Sequence, residues 1–218
     1  MTHVVHPYSQ RLGIIRDWKS RWFAPRGKYQ EYLKGDVLLR NFLTEKLRGN
    51  YLASVEMERS EKILRIIIKT SRPGMIIGRQ GEGSNKLRED VLKFMKKHNL
   101  EAHEEVKIDI EDIKSPESNA TIVAQMIAEQ LEKRMPFRRI MKQTVEKVMA
   151  NRDVSGVKIE LAGRLNGADM ARREKMKMGR IPLQTFRADV DYAHEEARLP
   201  YDTLGVKVWI YKGEVFDK

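Results

Sequence analysis

The chain has 218 residues, a net charge of +11 and no cysteine. That length allows one or two domains with substantial cores, and the missing thiols exclude a disulfide framework and a thiolate metal site. No stretch is long and apolar enough for a signal peptide or a membrane span, so the expectation is a soluble cytoplasmic protein whose positive charge suits a polyanionic partner.

Residues 1–30 read as an arm in which Tyr8, Trp18, Trp22 and Phe23 alternate with Arg11, Arg16, Lys19, Arg21, Arg26 and Lys28. Arginine interleaved with aromatic rings packs on RNA through phosphate pairing and stacking; the same rings could equally staple the arm to its own protein. From Tyr29 to Arg48 apolar residues recur at helical spacing, and Gly49-Asn50 marks a stop. Tyr51–Arg59 alternates as a half-buried strand, and Ile63–Lys69 is apolar enough for a buried one.

Pro73-Gly74-Met75-Ile76-Ile77-Gly78-Arg79-Gln80-Gly81 follows, and then a charged helical stretch from Glu82 to Asn99. At its centre Gly78, Arg79, Gln80 and Gly81 form a GxxG tetrapeptide. Glycines let a backbone approach a sugar-phosphate chain without a Cβ in the way, and a GxxG between two helices turns free N–H groups toward phosphate. This is the chemistry of a KH module. A plain helix–helix turn is the alternative. Gly78, Gly81 and Gly83 stand in the wrong order for a dinucleotide fingerprint, and no Gly-Lys-Ser/Thr completes a P-loop. Val106–Glu111 alternates as a closing strand. Helix, two strands, GxxG helices and strand give a type II KH domain over residues 31–112.

A second, α+β domain is expected over residues 113–218. Ser115-Pro116 reads as an N-cap and first helical residue, and Met135-Pro136 ends that helix. A second helix runs from Phe137 to about Asn151, with Phe137, Ile140, Met141, Val145 and Val148 as its apolar stripe. Gly156–Leu161, Phe186–Tyr192 and Val206–Tyr211 read as strands beneath the helices. Between them residues 163–187 read as a long basic loop carrying Arg164, Arg172, Arg173, Lys175, Lys177 and Arg180. A loop of that length is usually functional or disordered.

The charge is unevenly spread. Residues 1–28, 132–152 and 163–187 together hold 20 basic and 5 acidic residues, and the rest holds 22 and 26. Arg138, Arg139 and Lys142 fall within an arc of about 100° on their helix, able to grip consecutive phosphates or simply to form a solvated face beside Glu146. Asp109, Glu111 and Asp112, and likewise Asp189 and Asp191, mimic a metal-dependent nuclease site but read more simply as polar strand faces. His3, His6, His98, His103 and His194 are scattered and no metal site is expected. No catalytic triad can be assembled, and neither a cofactor nor a small-molecule substrate is implied.

Several unlinked segments then agree. His6-Pro7, Arg11-Leu12-Gly13-Ile14, Asp17-Trp18, Ser20-Arg21-Trp22-Phe23-Ala24, Arg72-Pro73-Gly74 with the GxxG, Phe137-Arg138-Arg139 with Lys142, Gly163-Arg164-Leu165 with Gly167-Ala168, Gly179-Arg180-Ile181-Pro182-Leu183 and Gly205–Ile210 resemble the S-three family of bacterial small-subunit ribosomal proteins. The resemblance runs through nearly the whole chain in order. It implies a structural, non-enzymatic protein of the 30S head that binds 16S rRNA and neighbouring small-subunit proteins and lines the channel through which mRNA enters. It also implies that Arg138, Arg139 and Lys142 help unwind structured mRNA; the charge distribution assigns the loop and arm cations to rRNA. A free-standing KH regulator of mRNA and a nuclease are the alternatives. The family pattern is broken at Ser84, where an apolar residue is usual, which predicts a frayed or repacked helix start, and little basic tail precedes Lys218.

Overall fold

The computed structural model describes residues 5–60, 63–100 and 105–216. The chain forms two compact units. One is Trp18–Lys114; the other joins the segment before Trp18 to everything from Ser115 onward. The expected separate arm of residues 1–30 is therefore divided. Its first part folds with the C-terminal unit and its second part with the KH unit.

In the KH unit, β1 (Ser20–Arg21) runs parallel to β2 (Leu52–Arg59), which pairs antiparallel with β3 (Ile63–Thr70), which pairs parallel with β4 (Glu105–Asp112). The two-residue β1 comes from the segment read as an arm and lacks the apolar alternation that marks a strand. Helix α2 (Arg26–Lys46) begins three residues before its expected start and buries Leu39 and Leu43. Central β3 buries Leu64, Ile66, Ile67 and Ile68, which accounts for its near-continuous apolar run. Helix α4 (Glu82–Lys97) buries Leu87, Val91 and Met95, one per turn.

Short helix α3 (Pro73–Ile77) reaches α4 through Gly78 and a 3₁₀ turn at Arg79–Gly81. Gly78, Gln80 and Gly81 all take positive φ, at 70°, 53° and 83°, a conformation that favours glycine. Ser84 donates its hydroxyl to the Gly81 carbonyl at 2.8 Å, and α4 is helical from Glu82 onward, so its start is not frayed.

In the C-terminal unit, α5 (Ala120–Glu132) and α6 (Phe137–Met149) lie on one face of an antiparallel sheet. The strands are β5 (Gly156–Gly163), β6 (Arg172–Gly179), β7 (Ala188–Arg198) and β8 (Thr203–Glu214), in the order β6-β5-β8-β7. Val157, Ile159 and Leu161 of β5 and Val206, Val208 and Ile210 of β8 meet the apolar stripes of both helices in one core. Two expectations are corrected. Pro116–Ser118 is a separate 3₁₀ turn, and α5 is capped by Asn119, whose side chain accepts from Thr121 and Ile122 N–H at 3.0 and 3.3 Å, a cap worth ~1 kcal/mol. And the basic stretch 163–187 is not a loop throughout. Its middle is β6, paired with β5 at every position from Gly156↔Gly179 to Gly163↔Arg172.

The other face of this sheet carries a small cluster of Ala188, Val190, Trp209 and Tyr211, with Ile181, Leu183 and Tyr192 packed on it. Helix α1 (Pro7–Gln10) and its flanks pack there too, with the His6 ring edge-on to Tyr192 at 4.6 Å.

Candidate nucleic-acid interface

The arm cations are mostly committed to the protein itself. Arg11 is fully buried. Its guanidinium donates to the carbonyls of Ala188 at 2.6 Å, Pro7 at 3.0 Å, Leu183 and Thr185 at 3.0 Å each, and Pro182 at 3.3 Å. Burial pulls its pKa below the ordinary value, partly countered by the charge of Asp189. A phosphate contact by Arg11 is thus corrected to a structural role, because each of its three guanidinium nitrogens already donates to a carbonyl and the side chain is fully buried. Arg16 pairs with Asp189 at 2.6 Å. Arg21 bridges Glu56 at 3.0 Å and Glu58 at 2.7 Å, and the bond from Arg21 holds the Glu58 carboxyl below its usual range. Lys19 is exposed on the run into β1, its carbonyl accepting from Met57 N–H at 2.9 Å.

Of the arm's rings, Trp22 is a staple: its indole N–H donates to Asp36 at 2.7 Å and its ring packs near Tyr29 and Tyr32. Asp36 also accepts from Arg59, and both are almost fully buried. Phe23 is 93% exposed.

The GxxG residues lie on the surface between α3 and α4, with Arg79 and Gln80 exposed. Their tightness comes from Gly83. A Cβ there would crowd the Ile76 carbonyl and stand 2.9 Å from that of Ile77, while one on Gly78 would meet Gly83 N at 3.1 Å. The exposed carboxylate of Glu82 stands beside this turn, opposing an approaching phosphate.

Arg138, Arg139 and Lys142 are all exposed on α6. Arg138 makes a long contact of 3.8 Å with Glu174. Arg138 and Arg172 lie 5.6 and 5.8 Å from the Phe137 ring centroid, so the basic helix face continues onto strand β6. There the strand alternation separates Arg172 from Arg173, Lys175 and Lys177, all four exposed. The partners across β5 are Ala162 for Arg173, Glu160 for Lys175 and Lys158 for Lys177. Those positions are on the face away from the helices. Arg180 is exposed just beyond the strand. Arg164 turns back on its own loop, donating to the Ala168 carbonyl at 2.9 Å and facing Asp169 at 3.4 Å.

Two cations escaped the sequence reading. Lys158 and Lys207 lie on the open sheet face, Lys158 above the Trp209 ring at 4.3 Å. The signal was present, since each is the polar residue between apolar neighbours that point into the core.

The acidic look-alikes are occupied. Asp109 pairs with Arg65, Glu111 lies 3.8 Å from Lys69, and Asp191 accepts from Ala120 N–H at 2.9 Å. Among the described residues there is no cluster of three metal-ligating side chains and no helix long and apolar enough to cross a membrane. His3 and His103 lie outside the described residues.

Comparison with known proteins accords with this architecture. Residues 38–118 match the KH domain family, and residues 127–210 match the family of the ribosomal protein S3 C-terminal domain. The chain is 44% identical over 218 residues to the small ribosomal subunit protein uS3 of Nitrosococcus oceani, covering all of this chain and 94% of that one. It is 45% identical over 217 residues to those of Xanthomonas oryzae pv. oryzae and Methylococcus capsulatus, covering 86% and 94% of their lengths. With its two domains in matching order and the likeness running end to end, the chain belongs to the family of small ribosomal subunit protein uS3.

Proposed function

We propose that the chain, a structural and non-enzymatic protein of the small ribosomal subunit, binds 16S rRNA in the head, contacts neighbouring small-subunit proteins there, and touches mRNA where it enters the ribosome. The observation that supports this reading most is a pair of exposed basic surfaces, one on α6 continued by Arg172 beside Phe137 and one on the face of β6 turned away from the helices. Arg138, Arg139 and Lys142 sit on a helix fixed by five buried apolar side chains, and Arg173, Lys175 and Lys177 sit on a paired strand. Cations on rigid elements are already held in place, so little ordering entropy opposes RNA binding. In this reading Arg172 and Arg180 extend the rRNA contact at either end of the strand. The GxxG residues Gly78, Arg79, Gln80 and Gly81 add a lighter contact beside Glu82.

The helix cations would act on mRNA by holding separated strands. They would bias a duplex that the moving ribosome has opened, without ATP-driven chemistry. Ribosomes carrying Arg138→Ala, Arg139→Ala and Lys142→Ala together are expected to slow several-fold at mRNA hairpins and little on unstructured messages, as read by single-ribosome translation rates. Equal slowing on both kinds of message would sink the unwinding role and leave only a general phosphate contact.

A further inference from the structure

The half of the open sheet face that the cluster around Trp209 leaves bare is concave. A basin of about 520 Å³ lies there, floored by Ala162, Gly163 and Gly205, within the range of sites that hold small organic groups. Arg173, His194 and Lys207 are among its walls. A Cβ on Gly205 would touch His194 Nε2 at 3.7 Å and the Ala162 carbonyl at 3.9 Å, so the imidazole edges the floor at its Gly205 end. At one wall is a single carboxylate, Glu160. It lies 3.6 Å from Lys158 and is paired across the sheet with Lys175 on one side and Lys207 on the other.

We propose that this basin receives one unstacked nucleotide of single-stranded RNA. The inference rests on the reading of the chain as an RNA-binding protein and adds a defined subsite to it. Arg173 and Lys207 take the flanking phosphate. The planar base lies over the glycine and alanine floor against His194. Glu160 accepts a hydrogen bond from an exocyclic amine or a ribose 2′-hydroxyl. The carboxylate decides between polyanions. An acidic protein segment would bring only acceptors and meet repulsion at Glu160, whereas a nucleotide brings phosphate for the cations and donors for the carboxylate. The concavity decides between forms of RNA, because a duplex presents phosphate ridges and keeps its bases stacked inside.

The test uses the full chain with a fluorescein-labelled single-stranded heptanucleotide, a duplex of the same length and a polyglutamate peptide. Arg173→Ala with Lys207→Ala should weaken the single strand about tenfold at moderate salt and lower its salt slope by about 0.7, one phosphate contact, with a smaller loss on the duplex. Ala162→Glu, which fills the floor and leaves both cations, should weaken the single strand as well. Acetylation of Lys175 and Lys207, mapped by mass spectrometry, should be suppressed by the single strand. If these variants bind normally while the triple α6 variant loses RNA, the basin is not a subsite and the RNA-binding reading stands. If the unaltered chain binds neither RNA, both fall. Protection of Lys207 by polyglutamate and not by RNA would overturn the proposal in favour of an acidic protein partner.

Discussion

A guanidinium removed from water costs several kcal/mol unless its donors are met. Arg11 meets this cost with five carbonyl oxygens, four of them between Pro182 and Ala188. Truncation would leave that nest of acceptors without donors. Arg11→Ala is therefore expected to lower stability by on the order of 3 kcal/mol, and Arg11→Lys to recover little of it, because a point ammonium cannot span acceptors spread around a planar fork. Urea unfolding of the full chain measures this. Unchanged stability with weaker RNA binding would return Arg11 to the interface. In the sequence, Arg11, Arg16, Lys19 and Arg21 look alike, since carbonyl, carboxylate and phosphate all call for the same donors. Only tertiary contact separates them, and two of the acceptors of Arg16 and Arg21 lie 173 and 37 residues away in the chain.

Among the elements, the α3–α4 pair shows how a glycine can be required without unusual dihedrals. Gly83 is the second residue of α4, where alanine would ordinarily fit the helix as well or better. Here its Cβ would press on the backbone carbonyls of Ile76 and Ile77. Gly83→Ala is expected to destabilise the chain, by roughly 1–3 kcal/mol, in a thermal melt followed by circular dichroism. A gain in melting temperature would show that α3 does not pack this closely. The GxxG pattern pointed to the turn but not to Gly83, whose role is visible only once the helices are in contact. Strand β6 was obscured for a related reason. Its sequence Arg172-Arg173-Glu174-Lys175-Met176-Lys177-Met178 alternates charge with charge over its first half, and its place comes from pairing with β5, not from burial. The same cations guard it, since an edge strand crowded with arginine and lysine resists pairing with another chain.

At the scale of the whole molecule, the long periodic segments were legible: α4, α5, α6, β3 and β5 all follow apolar spacing that the cores require. The division of the first thirty residues between two units was not, because no local pattern tells a segment which sheet it will join. Exposed cations stand on α6 and β6. RNA affinity of the full chain is accordingly expected to fall linearly on a log–log plot against salt, with a slope of about 0.7 per single-strand phosphate and 0.9 per duplex phosphate. Fluorescence anisotropy across a salt series would show it, and a flat profile would contradict phosphate-led binding.

The dock of Arg11 also sets a timetable. Its carbonyl partners at Pro182, Leu183, Thr185 and Ala188 are 171 to 177 residues further along the chain. At about 5–20 residues per second of synthesis, that interval lasts roughly 10–35 s. The KH unit, complete by Lys114, has all its strands in hand while the segment that precedes it still lacks a place to bind. During translation of this protein, the segment around Arg11 is thus made early and settles late, and it waits, cationic and aromatic, until the second sheet has left the exit tunnel.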